Sequence, residues 1–122
     1  MPTDRRQTLG RRGEQLALEH LERLGFGLVT RNHRTRFGEL DLVVAQEGLL
    51  VFCEVKTRRS GSGDPWDSLH PAKRAQVRRM ARSFLAEVDE RPRASVLRFD
   101  AVGVVLDRAG GLVCLDHIEG AF

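Results

Sequence analysis

Residues 49–57 read LLVFCEVKT, and this stretch decides the fold because it predicts a strand that is covered on both sides. Both of its faces are apolar apart from Glu54 and Lys56, which share one face because they lie two residues apart. Strands that are apolar on both faces are usually central in a packed sheet. Charged groups in such a strand are costly unless they are paired or bind a metal. The stretch therefore predicts a central strand whose two charged side chains are paired or bind a metal.

The strand that precedes it supplies two acids in register with these charges. Residues 40–45 (LDLVVA) form a second predicted strand, and a turn sequence that ends in Gly48 separates the two. A two-residue turn at positions 47–48 places Asp41 opposite Glu54. The same register places Glu39 opposite Lys56. A turn of odd length would instead move Asp41 to the other face of the sheet.

Two interpretations of this charged cluster are open. In the first, Glu39 and Lys56 form a cross-strand salt bridge, and an arginine answers Glu54. In the second, Asp41 and Glu54 have β-carbons about 4.5–5.5 Å apart and need a proton or a cation between them. Ligands that are all oxygen atoms favour Mg²⁺, Mn²⁺ or Ca²⁺. The second interpretation explains more, because the salt bridge accounts for Lys56 but not for the neighbouring Asp41.

An acid on the first predicted helix supports the cation site. Residues 7–24 form a helix whose apolar stripe includes Ala17, Leu18 and Leu21, and Glu14 lies three, four and seven residues before them. Glu14 therefore points along the buried face. Three acids beside Lys56 suit the hydrolysis of a phosphodiester, in which a metal polarises the phosphate and activates a water. Lys56 would orient that water and offset the charge that develops at phosphorus.

The remaining segments complete a mixed α/β fold in one domain, residues 1–122. The order is a helix, three strands, a helix that Pro71 opens, and two strands, which implies a mixed sheet with helices packed on it. The other predicted strands span residues 26–36, 95–106 and 112–118, the second helix spans residues 71–89, and a glycine-rich loop spans residues 58–69.

Charge is divided unevenly along the chain, whose formal net charge is +3. Residues 1–37 and 58–82 are net basic, whereas the segment between them and the C-terminal segment are net acidic. Basic flanks suit a polyanion such as nucleic acid, and the acidic middle suits a cation. No stretch approaches the roughly 20 apolar residues of a membrane helix, and we expect no secretory signal, because no apolar stretch follows the basic start. We therefore expect a cytoplasmic protein in which Cys53 and Cys114 are buried, reduced thiols.

Four motifs give the sequence a resemblance to a known family. They are GRRGE at residues 10–14, GELDLV at residues 38–43, FCEVKTR at residues 52–58 and RFD at residues 98–100. In this order they resemble the YraN-like (UPF0102) proteins, which are similar to archaeal Holliday-junction resolvases within the PD-(D/E)xK, restriction-endonuclease-like superfamily. The resemblance implies an αβββαβ core.

The resemblance also implies roles for individual residues. Asp41 is the aspartate of the superfamily motif, Glu54 and Lys56 form its E-x-K, and Glu14 is the helix-borne acid of the resolvase-type branch. The backbone carbonyl of Val55 would face the metal together with the carboxylates of Asp41, Glu54 and Glu14. The expected cofactor is Mg²⁺ or Mn²⁺. The expected activity is an endonuclease that cleaves DNA, with branched or otherwise structured DNA among its candidate substrates.

Several basic residues are candidates for contacts with phosphates of the nucleic acid. They are Arg11, Arg12, Arg36, Arg58, Arg59 and Lys73. An alternative function is a nucleic-acid-binding module that keeps the nuclease fold without cutting, and a homodimer is expected by analogy with resolvases. Trp66, the single tryptophan, either stacks on an exposed base or folds back over the core. Asp100 is expected to form a salt bridge with Arg98.

Overall fold

Two helices and five strands make up the fold. The structure is a computed structural model that describes residues 5–122, apart from the side chains of residues 5–7, 67 and 68. The elements are α1 (Arg5–Arg23), β1 (Gly27–Thr35), β2 (Gly38–Gln46), β3 (Gly48–Arg59), a short 3₁₀ helix (Pro65–Ser68), α2 (Pro71–Glu87), β4 (Ala94–Leu106) and β5 (Leu112–Ile118). The predicted sequence of elements is confirmed, and the loop predicted over residues 58–69 is shortened by the end of β3 and by the 3₁₀ helix.

The five strands form one mixed sheet in the order β1-β2-β3-β4-β5. β3 and β4 run parallel because α2 crosses over between them, and the other neighbouring strands are antiparallel. β3 is therefore central, as its two apolar faces predict. The arrangement is consistent with a restriction-endonuclease-like αβββαβ core, and the predicted mixed α/β fold is confirmed.

The register of the β2–β3 hairpin is the one that a two-residue turn predicts. Gly48 has a φ of 76°, a left-handed conformation that suits glycine in a tight hairpin turn. Pairing starts with Gln46 opposite Leu49 and continues to Leu42 opposite Cys53. The described pairing ends there, one step before Asp41 and Glu54 would meet. The two strands thus separate at the point where the predicted charged cluster begins.

A helix covers each face of the sheet, and each forms its own apolar core. Under α1 the buried residues include Ala17, Leu21, Leu42, Val51, Cys53, Val55, Val102 and Val104. Under α2 they include Leu40, Val43, Leu50, Phe52, Val77, Met80 and Phe84. Leu40 and Leu42 belong to different cores although they lie two residues apart, so the regular alternation of faces breaks at Asp41. One expectation is wrong: Cys114 is exposed on the edge strand β5, whereas Cys53 is buried.

The glycine before Glu14 allows α1 to lie very close to β3. A β-carbon added to Gly13 would overlap the hydroxyl of Thr57 and lie 2.8 Å from two other atoms of that side chain. Gly13 is buried, so neither element has free space into which it could retreat. The close approach brings Glu14 to the sheet at the end of β3.

This close approach predicts opposite effects for two alanine substitutions in α1. Gly13→Ala should lower the free energy of unfolding by about 1–3 kcal/mol, because it forces a clash in a packed interior. Gly10→Ala is the matched control, since nothing lies within 4 Å of its added β-carbon. It should raise stability by about 0.5–1 kcal/mol through helix propensity. Urea unfolding of both variants measures the difference, and equal stabilities would contradict the proposed contact.

Candidate metal centre

Asp41 lies at the gap where β2 and β3 separate. Its Oδ2 accepts a hydrogen bond of 2.8 Å from the backbone N–H of Val55. The carboxylate thereby takes the place of a backbone acceptor on β2, and its position is fixed relative to β3. This contact uses the N–H of Val55, and metal binding by the Val55 carbonyl stays a prediction.

Two further acids approach Asp41 from neighbouring elements. Carboxylate oxygens of Glu14, Glu39 and Asp41 all lie within 4.8 Å of one another. Asn32 on β1 binds two of these acids, because its Nδ2 donates to Glu14 at 3.1 Å and to Glu39 at 2.9 Å. Asn32 also has a φ of 50°, a left-handed conformation that asparagine tolerates better than most residues. The three acids thus come from α1 and β2, and an amide from β1 holds two of them.

Glu54 faces the other side of the gap and is only 4% exposed. Its Oε1 lies 3.2 Å from the ammonium of Lys56 and 2.9 Å from that of Lys73 in the first turn of α2. Lys56 therefore pairs with Glu54, and the cross-strand salt bridge to Glu39 that the first interpretation required is wrong. The prediction that an arginine pairs with Glu54 is wrong too, because its ion-pair partners are two lysines. Lys73, expected as a phosphate contact, lies in the centre itself.

Crowding of negative charge changes the protonation of the centre. Burial and the charge of Glu54 raise the pKa of Asp41, the nearby charge of Glu14 adds to this, and the Val55 N–H only partly offsets it. The pKa of Asp41 is raised to about 8. A shared hydrogen bond with Glu54 contributes, which places the two carboxyl groups next to each other. Without a cation, the centre holds a proton at neutral pH.

The donor set fits a hard divalent cation. All candidate ligands are carboxylate oxygens, the type that Mg²⁺ and Mn²⁺ prefer. Burial and the neighbouring like charges raise the pKa of Asp41, and a bound cation would favour its charged form. Glu14, Glu39 and Asp41 would hold such an ion. Glu54, which the sequence predicts as a ligand, lies next to Asp41 and pairs with two lysines.

The predicted phosphate-binding arginines divide into two groups. Arg58 and Arg59 line a cavity of about 420 Å³ together with Glu14 and Lys56. Arg11 lines another, more polar cavity with Glu14 and Glu39. Arg12 Nε donates to the carbonyl of Gly110 at 3.3 Å, in the turn before β5. Arg36 stacks over the ring of Phe37 at 4.9 Å, beside α2, and does not line either of the cavities at Glu14.

Three members of the centre were not assigned to it from the sequence. Glu39 precedes Asp41 by two residues, so the period of a strand is a signal that could have found it. Lys73 follows Pro71 in the first turn of α2, but which residue it meets depends on how α2 crosses the sheet. No comparable sequence signal marks Asn32, because its role depends on a left-handed backbone and on contacts from two other elements.

Trp66 and Asp100 serve the fold around the centre. A β-carbon added to Gly103 on β4 would lie 2.9 Å from the Trp66 ring, so the tryptophan folds back over the sheet. Asp100 is completely buried and accepts two bonds of 2.8 Å from Arg98, as expected. It also bonds His117 at 2.8 Å and the N–H of Gly120 at 3.1 Å, which fastens the C-terminal segment to β4.

Comparison with known proteins agrees with the motifs. The model of a family described as "Uncharacterised protein family UPF0102" matches residues 13–104. The chain belongs to family UPF0102. A UPF0102 protein of Frankia casuarinae is 46% identical over 120 residues, which cover 96% of this chain and 98% of the relative. Another, of Acidothermus cellulolyticus, is 40% identical over 126 residues, covering 96% of this chain and 95% of the relative.

A third UPF0102 protein, from Pelotomaculum thermopropionicum, is 40% identical over 120 residues, which cover 98% of this chain and 98% of the relative. The matched span contains Glu14, Asp41, Glu54 and Lys56. Across the helices that the structure describes, none combines the length and the apolar character that crossing a bilayer requires.

The pKa of Asp41 predicts how stability depends on pH. The folded-state pKa of about 8 lies above the value near 3.9 of an unfolded aspartate, so the folded state binds the proton more tightly. The contribution of Asp41 to stability is complete below pH 4 and is lost as pH rises towards 8. We compare the Tm of Asp41→Asn with that of the wild type in the presence of a chelator. This difference should shift by several degrees in favour of the variant when the pH is raised from 5 to 8.

Thermal melts at several pH values measure this gain. Asp89→Asn is the control, because Asp89 is an exposed aspartate just after α2. Its curve should run parallel to that of the wild type. A parallel curve for Asp41→Asn would show that Asp41 ionises normally and would contradict the crowding of the acids.

Asn32 allows the charge in the cluster to be varied at constant backbone conformation. Glycine and aspartate both tolerate the left-handed φ of this position. Asn32→Gly only removes two hydrogen bonds, whereas Asn32→Asp brings a further carboxylate against Glu14 and Glu39. In a chelator at pH 8, Asn32→Asp should melt at a lower temperature than Asn32→Gly, and Mn²⁺ should remove most of the difference. Equal melting temperatures in the chelator would argue against this arrangement of acids.

Proposed function

We propose that this UPF0102 protein is a Mg²⁺- or Mn²⁺-dependent endonuclease that hydrolyses phosphodiester bonds in DNA. The observation that carries the proposal is the cluster of Glu14, Glu39 and Asp41, whose carboxylate oxygens lie within 4.8 Å of one another. Glu54, the ion-pair partner of Lys56, lies next to Asp41, whose pKa is raised to about 8. Buried like charges destabilise a fold, and a bound cation would offset this cost by neutralising them. Such clusters are typical of functional sites.

Each residue of the centre has a chemical task under this proposal. A bound divalent cation would polarise the phosphate and lower the pKa of a water at the site. Asp41 must release its proton before it can act as a ligand, so cation affinity should rise with pH up to about 8. Lys73 pairs with Glu54 at 2.9 Å and fixes the position of its carboxyl group. Lys56, half-buried beside Glu54, can donate to the attacking water and to a non-bridging phosphate oxygen.

The surroundings of the centre support a nucleic-acid substrate. Arg11, Arg58 and Arg59 line the cavities that open at Glu14, so cationic groups surround the acids. Arginines in this position suit phosphates on either side of the one that is cleaved. DNA as the nucleic acid follows from the resemblance to resolvases. The homodimer is likewise a prediction from that resemblance, and sedimentation velocity at micromolar concentration tests it.

One observation favours a second function, a nucleic-acid-binding module that does not cut. Glu54, a predicted metal ligand, already forms ion pairs with two ammonium groups, and a bound proton can neutralise the charge of Asp41. Such a network is stable without a cation. DNA binding by this module would be unaffected by a chelator and by Glu54→Gln.

A cleavage assay separates the two functions. Labelled duplex, flap and four-way junction DNA are incubated with the protein in Mg²⁺ or Mn²⁺. The proposal expects metal-dependent cleavage that falls at least about 100-fold in Asp41→Asn and in Lys56→Ala, because each removes a group that acts in the transition state. Asp89→Asn should cleave like the wild type. Absence of cleavage of all three DNAs, or equal cleavage by Asp41→Asn, would remove the catalytic claim.

A further inference from the structure

A second large cavity lies between the N-terminal part of α1 and the turn that joins β4 to β5. Its volume is about 550 Å³, within the range of sites that hold small molecules. Its lining residues include Leu9, Arg12, Arg59, Leu106, Asp107, Arg108 and Gly110. The hydrogen bond from Arg12 to the carbonyl of Gly110 holds α1 and this turn together across one wall.

This cavity continues from the candidate metal centre. The cavity of about 420 Å³ that contains Glu14 and Lys56 is also lined by Leu9 and Arg59. The same two residues line the second cavity, so the two spaces are neighbours along α1. A polymer whose scissile phosphate lies at the acids would therefore have its next unit directed towards the second cavity.

The chemistry of the second cavity matches a nucleotide. Arg12, Arg59 and Arg108 supply positive charge for a phosphate. The single acid of the lining, Asp107, is engaged within the turn, because its Oδ1 accepts from the N–H groups of Ala109 at 2.9 Å and Gly111 at 2.8 Å. Leu9, which is only partly buried, adds an apolar surface against which a sugar or a base can pack. A positively charged groove that follows the backbone is a usual feature of sites for single-stranded nucleic acid.

We propose that the second cavity is a subsite for an unpaired nucleotide adjacent to the phosphate that is cleaved. The inference rests on the proposed function and narrows its substrate class to DNA with an unpaired segment at the cleavage point. A paired nucleotide would have to leave its stack and its partner to enter the cavity, whereas an unpaired one enters without that cost. Plain duplex DNA should therefore use the centre without the subsite.

Anisotropy measurements with two fluorescein-labelled hairpin DNAs test the subsite. One hairpin is blunt, and the other carries a short overhang of unpaired thymidines. All proteins carry Asp41→Asn to suppress cleavage, and Arg108→Glu is compared with Arg93→Glu, a control with the same charge change before the opposite end of β4. Arg108→Glu should weaken binding of the overhang DNA at least about tenfold, because the overhang loses a charge-assisted contact. Binding of the blunt DNA, which does not make this contact, should weaken far less.

The salt dependence of binding provides a second measurement. Arg108→Ala should lower the slope of log K against log salt by about 0.7 for the overhang DNA and leave the slope for the blunt DNA unchanged. Equal effects of Arg108→Glu and Arg93→Glu, or equal affinity of the parent for both DNAs, would overturn the subsite alone. Failure of the parent protein to bind either DNA would overturn the proposed function as well. Thermal melts of each variant confirm that it is folded.

Discussion

The candidate centre depends on one hydrogen bond, from the backbone N–H of Val55 to the carboxylate of Asp41. It forms where the β2–β3 ladder stops, and it substitutes a side chain for the next backbone acceptor. A carboxylate fixed in this gap cannot move away from Glu54 on one side or from Glu14 on the other. Burial of Asp41, together with these neighbouring charges, raises its pKa. The pattern is typical of functional sites, where local stability is given up for a defined arrangement of charge.

Both helices contribute to the centre although they cover opposite faces of the sheet. α1 brings Glu14 close to the end of β3 because Gly13 has no side chain to hold the two elements apart. α2 brings Lys73 to Glu54 on the other face. The two sets of side chains meet only because the strands separate at Asp41. The centre therefore depends on the packing of three layers and not on the hairpin alone.

The sequence was sufficient to predict what depends on local periodicity. The central position of β3 follows from its apolar faces, and the hairpin register follows from Gly48 and the length of the turn. The inward direction of Glu14 follows from helical spacing. The pair of Lys56 and Glu54 agrees with their shared face on β3. The cross-strand partner Glu39 was wrong, because the described ladder ends before Glu39 would lie opposite Lys56. The contacts of Lys73 and Asn32 depend on how α2 and β1 lie against β3 and β2, and no local pattern encodes that arrangement.

Gly103 has a consequence for how the protein can be studied in solution. It is the β4 neighbour of Lys56, and it leaves room for the ring of Trp66 to rest on the sheet at that point. Because the chain has one tryptophan, all of its indole emission originates at the strand position that neighbours Lys56. The protein thus carries its own optical reporter at this point of the sheet, and a proposed ion or polynucleotide could be tested for binding without attaching a dye.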